Sequence, residues 1–400
     1  MKFQSLRRLQ HLQHLAWMTC TRSPVITKKP RKSREAFLYL SARLLSLNIP
    51  WRSMKKVAVF GLGRVGKLVA LMLADEGFDV VGVDQVVPSF FPLPFQQVNV
   101  QDEKSVKDIL SQVDAVASCL PYHWTLHLAK LAYSQGVHYF DLTEDRETTL
   151  QIQQWSNSAR AALVPQCGLA PGFICIAGAD LVKGRSDIVT LGLRVGALDA
   201  SPKGFFRYSL TWSPEGVVNE YLNPCEAIVE GQIVNVPARS SYELLSVDGK
   251  PYEAASTSGG LGTLCQTLLG QVQHVNYKSI RYVGHFQRLE LLFDNPFLKP
   301  YRKILGWGLQ LFSGTTSHDQ VLCQAFAINK EGHRSTFEKV YHPIVVGGES
   351  WNAISWTTAG SLVAVITLVA QNKLPQQGFI AQESIRFQDF LSTKTGSLFK

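Results

Sequence analysis

The chain has 400 residues, 46% of them hydrophobic and 18% charged, which is enough for two domains and too ordinary for a disordered or fibrous protein. Of the +9 net charge, residues 1–53 carry +10, with eleven Lys or Arg against Glu35, so residues 54–400 sum to −1 and give no global electrostatic basis for binding nucleic acid. No apolar run approaches the roughly 18–20 residues of a membrane span, and seven widely spaced cysteines without a CxxC predict neither a disulfide framework nor a metal site.

Three readings fit residues 1–53: a basic, acid-poor targeting peptide, a basic arm for RNA or a membrane, or upstream sequence ahead of a start at Met54. The body is expected in the cytoplasm, with organelle targeting by residues 1–53 as the alternative. No nucleic-acid or membrane partner is expected.

Residues 56–60 (KVAVF) are an apolar run followed at once by Gly61, Leu62, Gly63, Arg64, Val65 and Gly66. Val65, Leu68, Val69, Met72 and Leu73 then recur at the spacing of one helix face, and Gly77 stops the helix. Residues 79–83 (DVVGV) form the next run, which ends in Asp84. Strand, glycine loop, helix, strand and terminal acid together predict a dinucleotide-binding unit, which the glycine pattern alone would not. Gly61 permits the tight turn, Gly63 lets the backbone approach a pyrophosphate, and Gly66 lets the helix pack on the strand. The helix N-terminus offers free N–H groups to the phosphates. Asp84 would accept from a ribose diol and repel a 2′-phosphate. With no Arg or Lys between Gln85 and Gln101, NAD is favoured over NADP.

The alternation continues through a weak strand at 97–100, a helix at 105–110, a strand at 114–120, a helix at 124–135, a strand at 137–142, a helix at 148–162 and a strand at 163–166. This predicts a doubly wound parallel α/β sheet with ligands at the strands' carboxyl ends. Candidate cofactor residues there are Val100, whose loop would lie against the adenine, then Cys119, Leu120 and Pro121, and Gly168 to Pro171. Asp141 is a candidate catalytic group.

After residue 183 the pattern changes. Residues 188–195 and 205–212 read as strands, 214–221 as a short helix, and 321–329 with 333–341 as a hairpin, so a mostly antiparallel sheet with a few helices is expected. Residues 351–370 return to helical periodicity and could dock on the first domain. The expected boundaries are 54–180, 181–345 and 346–400. Thr257 and Ser258 open a glycine-rich loop. On a strand, Arg281 and His285 would share one face and Tyr282 the other. An Arg suits a carboxylate, and a His of near-neutral pKa could carry an amine's proton. A surface Arg and a satisfied His is the competing reading.

These segments resemble the saccharopine dehydrogenase and lysine 6-dehydrogenase family, most closely its lysine 6-dehydrogenase branch. The resemblance rests on residues 57–66 (VAVFGLGRVG), 168–174 (GLAPGFI), 212–224 (WSPEGVVNEYLNP), 257–264 (TSGGLGTL), 279–285 (SIRYVGH) and 357–369. It implies a Rossmann-type domain with an inserted α+β domain that binds substrate and dimerises, and hydride transfer between a C–N carbon and a nicotinamide. It also implies that Arg281 holds a substrate carboxylate and that His285, Thr257, Ser258 and Tyr282 complete the pocket. Residues 121–124 (PYHW) and 141–145 (DLTED) depart from the lysine branch. Glu144 and Asp145 could read an amine or only solvate a loop. The rival readings are a saccharopine or carboxynorspermidine type enzyme, with Arg194, Arg207 and Arg288 as spare grips, and a dinucleotide-binding sensor without turnover.

Overall fold

The computed structural model describes residues 54–400 apart from 202, 203, 314, 315 and 317, and the readings made for residues 1–53 lie outside the described residues. The chain begins β1 (Lys56–Phe60), α1 (Arg64–Asp75), β2 (Asp79–Asp84), β3 (Phe95–Gln97), α2 (Glu103–Leu110), β4 (Ala115–Ser118), α3 (Tyr122–Gln135), β5 (His138–Asp141), α4 (Arg146–Gln154) and β6 (Ala162–Val164). The six strands form a parallel sheet in the order β6-β5-β4-β1-β2-β3. Val57, Ala58, Val59 and Phe60 are all buried, as a central strand covered on both faces requires. The order reverses between β1 and β4, which is the switch point where such sheets bind ligands. The fourth helix begins earlier than the expected 148, because Asp145 caps it by accepting from the Thr148 N–H at 2.9 Å, and ends at Gln154 instead of 162.

Helix α5 (Phe173–Val182) leads into a second sheet. Its long strand β7 (Ile188–Asp199) is followed by α6 (Pro214–Leu222), β8 (Cys225–Val229), β9 (Gln232–Val236), β10 (Glu243–Val247), β11 (Lys250–Ser256), α7 (Leu264–Leu268) and β12 (His274–Arg281). Helices α8 (His285–Phe293) and α9 (Arg302–Ser313) precede the hairpin of β13 (Asp319–Asn329) and β14 (Arg334–Tyr341). The path is β10-β11-β12-β7-β13-β14, with β8 joined to β12 and β9 to β8. Only β7 with β12 pairs in parallel, so the sheet is mixed and mostly antiparallel. The architecture is the expected one: a Rossmann-type sheet plus a separate α+β domain.

Three local expectations fail. The strand read over 97–100 forms instead at Phe95–Gln97. No strand forms over residues 205–212, where Gly204 and Arg207 take φ of +79° and +50° and break extended pairing. Strand β12 stops at Arg281, Gly284 turns at φ +90°, and His285 opens a helix, so the alternation assumed for 279–285 does not apply.

After the small hairpin of β15 (Ile344–Val346) and β16 (Glu349–Trp351), α10 (Ala353–Ala370) packs along α1. It lies within the helical segment read over 351–370 and, against the expectation that no apolar run approaches a span, is long and apolar enough to cross a membrane by length and composition. Most of it is buried within the protein, as in a core helix. Asp319 of β13 caps it, accepting from the Ala353 and Ile354 N–H groups. Strand β17 (Gly378–Phe379) then extends the first sheet beyond β6.

Candidate active site

The glycine loop leaves β1 at Gly61, whose φ of +87° excludes most side chains. A Cβ on Gly66 would lie 1.8 Å from the Gly61 carbonyl oxygen, so only glycine lets α1 start this close to the strand. At Gly63 a Cβ would meet no atom within 4 Å. That open side, with Gly63 and Arg64 exposed at the start of α1, suits a pyrophosphate. Leu62 donates its N–H to Asp84 Oδ2 at 2.7 Å, and Val86 donates to Oδ1 at 2.9 Å. The carboxylate is thereby held beside the loop with lone pairs still available. Val65 is half-buried on the core side of α1. The residues present fit a dinucleotide.

The loop after β4 adjoins this one. A Cβ on Gly61 would come within 2.7 Å of the Cys119 oxygen and 3.1 Å of the Leu120 nitrogen, and Pro121 opens α3. Burial pushes the Cys119 thiol up to about 12, so it packs and does not act as a nucleophile. Val100 is buried and its carbonyl accepts from His127 Nε2 at 3.1 Å. Gly168 and Pro171 sit in the loop after β6, where a Cβ on Gly262 would come within 3.2 Å of Pro171 Cβ. This loop of the first sheet therefore touches the glycine-rich loop of the second.

Asp141 is wholly buried at the end of β5. Its Oδ1 accepts from the Thr143 and Gln166 N–H groups at 2.9 Å each, which ties the loops after β5 and β6 together. Burial raises its pKa to about 6, against those hydrogen bonds. Oδ1 thus positions the two loops, while Oδ2 is buried with no hydrogen-bond partner among the described residues.

The loop that Asp141 holds presents Glu144 to the second domain. Glu144 Oε2 lies 3.7 Å from where a Cβ on Gly259 would stand. The next residue back, Ser258, donates its N–H to the Glu220 carbonyl at 3.1 Å. Glu144 of the first domain is thereby brought near Glu220 of the second, close enough for the Glu220 charge to act on it. Both are partly accessible to solvent, yet protein surrounds them. Burial, and then the charge of Glu220, push Glu144 well above the ordinary carboxyl range. Burial raises Glu220 to about 7 against the pull of Arg281. The two titrate as a pair.

Arg281 closes the cleft floor. Its Nη2 is 3.4 Å from Glu220 Oε2, Nη1 donates to the Ile280 carbonyl, Nε donates to Tyr221 Oη at 2.7 Å, and the guanidinium lies over the Tyr208 ring at 4.9 Å. His285 Nδ1 is 2.7 Å from the Phe206 carbonyl, which can only accept, so Nδ1 carries the proton and Nε2 accepts from Tyr221 Oη at 3.0 Å. Burial, then the Arg281 charge, lowers His285 to about 3. The near-neutral proton carrier expected at His285 is thus corrected: the ring is neutral, sealed and saturated. His285→Ala should leave the pH dependence of turnover in place and cost on the order of 2–3 kcal/mol in denaturant unfolding, by orphaning two buried polar groups. Because the folded ring refuses a proton that the unfolded chain accepts, its contribution is complete above pH 6.5 and lost toward pH 3. The variant should show less acid destabilisation in that window.

Other candidates are placed elsewhere. Thr257 is buried with its hydroxyl on Ser279 at 2.7 Å, and Ser258 Oγ donates to the Asn219 carbonyl. Tyr282 turns away from the cleft, donating to the Asp199 carbonyl at 2.8 Å. Arg194 pairs with Glu243, while Arg207 and Arg288 bond to the Val283 and Phe205 carbonyls. Sequence reasoning missed Glu220, Tyr221 and Tyr277, whose ring lies on Gly260. The segment 212–224 holds the first two, but only folding brings Glu220 to Glu144. Among the described residues no group of three or more His, Cys, Asp or Glu could hold a metal ion.

A glycine loop at the switch point of a parallel sheet, opening on a polar cleft closed by a second domain, defines a two-domain dinucleotide-binding oxidoreductase. The saccharopine dehydrogenase NADP binding domain model matches residues 57–164, and the saccharopine dehydrogenase C-terminal domain model matches residues 168–393. The chain belongs to the saccharopine dehydrogenase family. Rat mitochondrial alpha-aminoadipic semialdehyde synthase is 23% identical over 353 residues, 81% of this chain and 36% of that protein, so the chain spans about a third of that relative. The apo saccharopine dehydrogenase (L-Glu forming) of Saccharomyces cerevisiae matches with a TM-score of 0.67 at 14% identity, covering 85% of this chain and 98% of that one. The homospermidine synthase of Legionella pneumophila, solved with NAD, gives 0.59 at 14% identity, covering 86% and 89%. These two likenesses show the fold.

Proposed function

We propose that this chain oxidises a carbon–nitrogen bond of an amino acid with NAD, the ε-amine of lysine being the first choice. The observation that carries the proposal is the Glu144–Glu220 pair, which faces the cleft with a single arginine beside it. Two neighbouring acids whose pKa values burial has raised suit a substrate that arrives as an ammonium and must lose a proton before it can give up hydride. The bound nicotinamide supplies a hydride acceptor. Glu220, held by Arg281, takes the ammonium proton, while Glu144, kept protonated by its neighbour, donates a hydrogen bond. The amine lone pair then pushes hydride from the adjacent carbon, leaving an iminium. Water adds to its carbon and ammonia departs, giving the semialdehyde. NAD is preferred because the Asp84 carboxylate, held beside the glycine loop, would accept from a ribose diol and repel a 2′-phosphate. A dimer or larger homo-oligomer, expected from the resemblance, is part of the proposal.

A saccharopine-type substrate is the second reading, favoured by family membership. It brings further carboxylates, and the three spare arginines are committed outside the cleft. Assaying lysine, other ω-amino acids and saccharopine for NADH formation separates the readings. Turnover of lysine is expected, and turnover of saccharopine alone would move the substrate. Binding of NADH with no turnover of any amine would leave a sensor.

A further inference from the structure

Helix α9 is apolar on both sides. Leu305 and Leu309 are buried, with Gly306 near Pro214 and Val218 of α6, and Gly308 near Leu292 of α8. The opposite stripe, Ile304, Trp307 and Leu311, recurs at i, i+3 and i+7 and is exposed, Trp307 by 65%. Phe312 beside it is exposed, as is Phe297, by 82%, in the loop before the helix. Phe205 extends the surface: its ring meets Phe206, and Phe206 meets Phe312. A helix apolar all round is normally buried all round, and an exposed patch of this extent marks an interaction site.

The charges around it select the occupant. Residues 297–313 carry Lys299, Arg302 and Lys303 and no acid. Arg288 lies 5.9 Å over the Phe205 ring at the edge. Among the described residues none of these four cations is in an ion pair; Arg302 donates to Asn219 Oδ1, and of the two acids that line a pocket with Lys299, Asp294 is taken by Arg239 and Glu290 is the other. A second copy docked symmetrically on this face would bring two basic, acid-free 297–313 segments together. An anionic lipid surface answers both properties, receiving the aromatic and aliphatic stripe at the acyl boundary and the cations among the headgroups.

We propose that the outer face of α9 docks this protein on an anionic membrane surface, with the helix lying in the interface. The expectation of no membrane partner weighed spans and total charge, and a helix lying flat needs neither a span nor a basic body. The test is flotation of the full chain with vesicles of phosphatidylcholine alone and of phosphatidylcholine with phosphatidylserine. Binding is expected to the mixed vesicles, weaker in high salt. It should fall by roughly tenfold or more in Trp307→Glu and in Lys299→Glu/Lys303→Glu, with thermal unfolding and NADH affinity unchanged. Absence of vesicle binding overturns the proposal. So does binding that these substitutions leave intact, or a dimer in solution that Trp307→Glu splits.

Discussion

Glu220→Gln is expected to lower kcat for the preferred amine by about 10²–10⁴, the range that a positioned base contributes. The acid side of the pH profile is the sharper readout. In the unaltered chain the base works only when deprotonated, so turnover should fall as pH drops below about 7, where burial has placed the Glu220 carboxyl. Glu144→Gln should keep that limb, because Glu220 and Arg281 remain, and should lose less rate. In Glu220→Gln that limb should be lost together with the base that produces it. NADH affinity should be unaffected in both. An unchanged rate and profile in Glu220→Gln would falsify the assignment.

Gly66→Ala should weaken NADH binding by about 100-fold or more, some 2.7 kcal/mol. The added methyl would fall 1.8 Å from a backbone oxygen of the same loop, so α1 must withdraw from β1 and take its N-terminus with it. Thermal stability should fall too. Gly63→Ala makes the contrasting case: its Cβ meets nothing in the protein, so stability should hold while binding weakens as the methyl enters the pyrophosphate's space. Calorimetric titration with NADH and thermal unfolding of both variants give the comparison. A Gly66→Ala protein that binds NADH normally removes the phosphate role of this loop.

Legibility differed between the halves for a physical reason. In residues 56–84 each requirement is local: a covered strand is apolar throughout, the turn needs glycine, and the helix shows its face at 3.6-residue spacing. The second sheet is built from long-range pairings such as Glu253 opposite Arg281; of its outer strands, β9 is only partly buried without alternation, and β10 alternates in exposure but not in residue type (ELLSV). Its hairpins over 225–256 went unread. Arg281 was found by type, but its partners were not, because Glu220 and Glu144 come from different domains. His285 was found by type and given the wrong environment: from sequence it is a histidine near an arginine, whereas the fold seals it beneath Tyr221. Asp141 was legible as a strand-end acid, but its orientation toward two backbone N–H groups was not.

The capping of α10 by Asp319 bears on how this architecture could be recombined. The aspartate belongs to the sheet of the substrate half, while the helix it closes shields α1 in the nucleotide half. A graft made at residue 345 would leave that helix without its cap, and one made earlier would take a strand from the centre of the other sheet. The halves are interlocked parts of one fold, so new specificity would arise by exchanging side chains along the slot between them more readily than by shuffling modules.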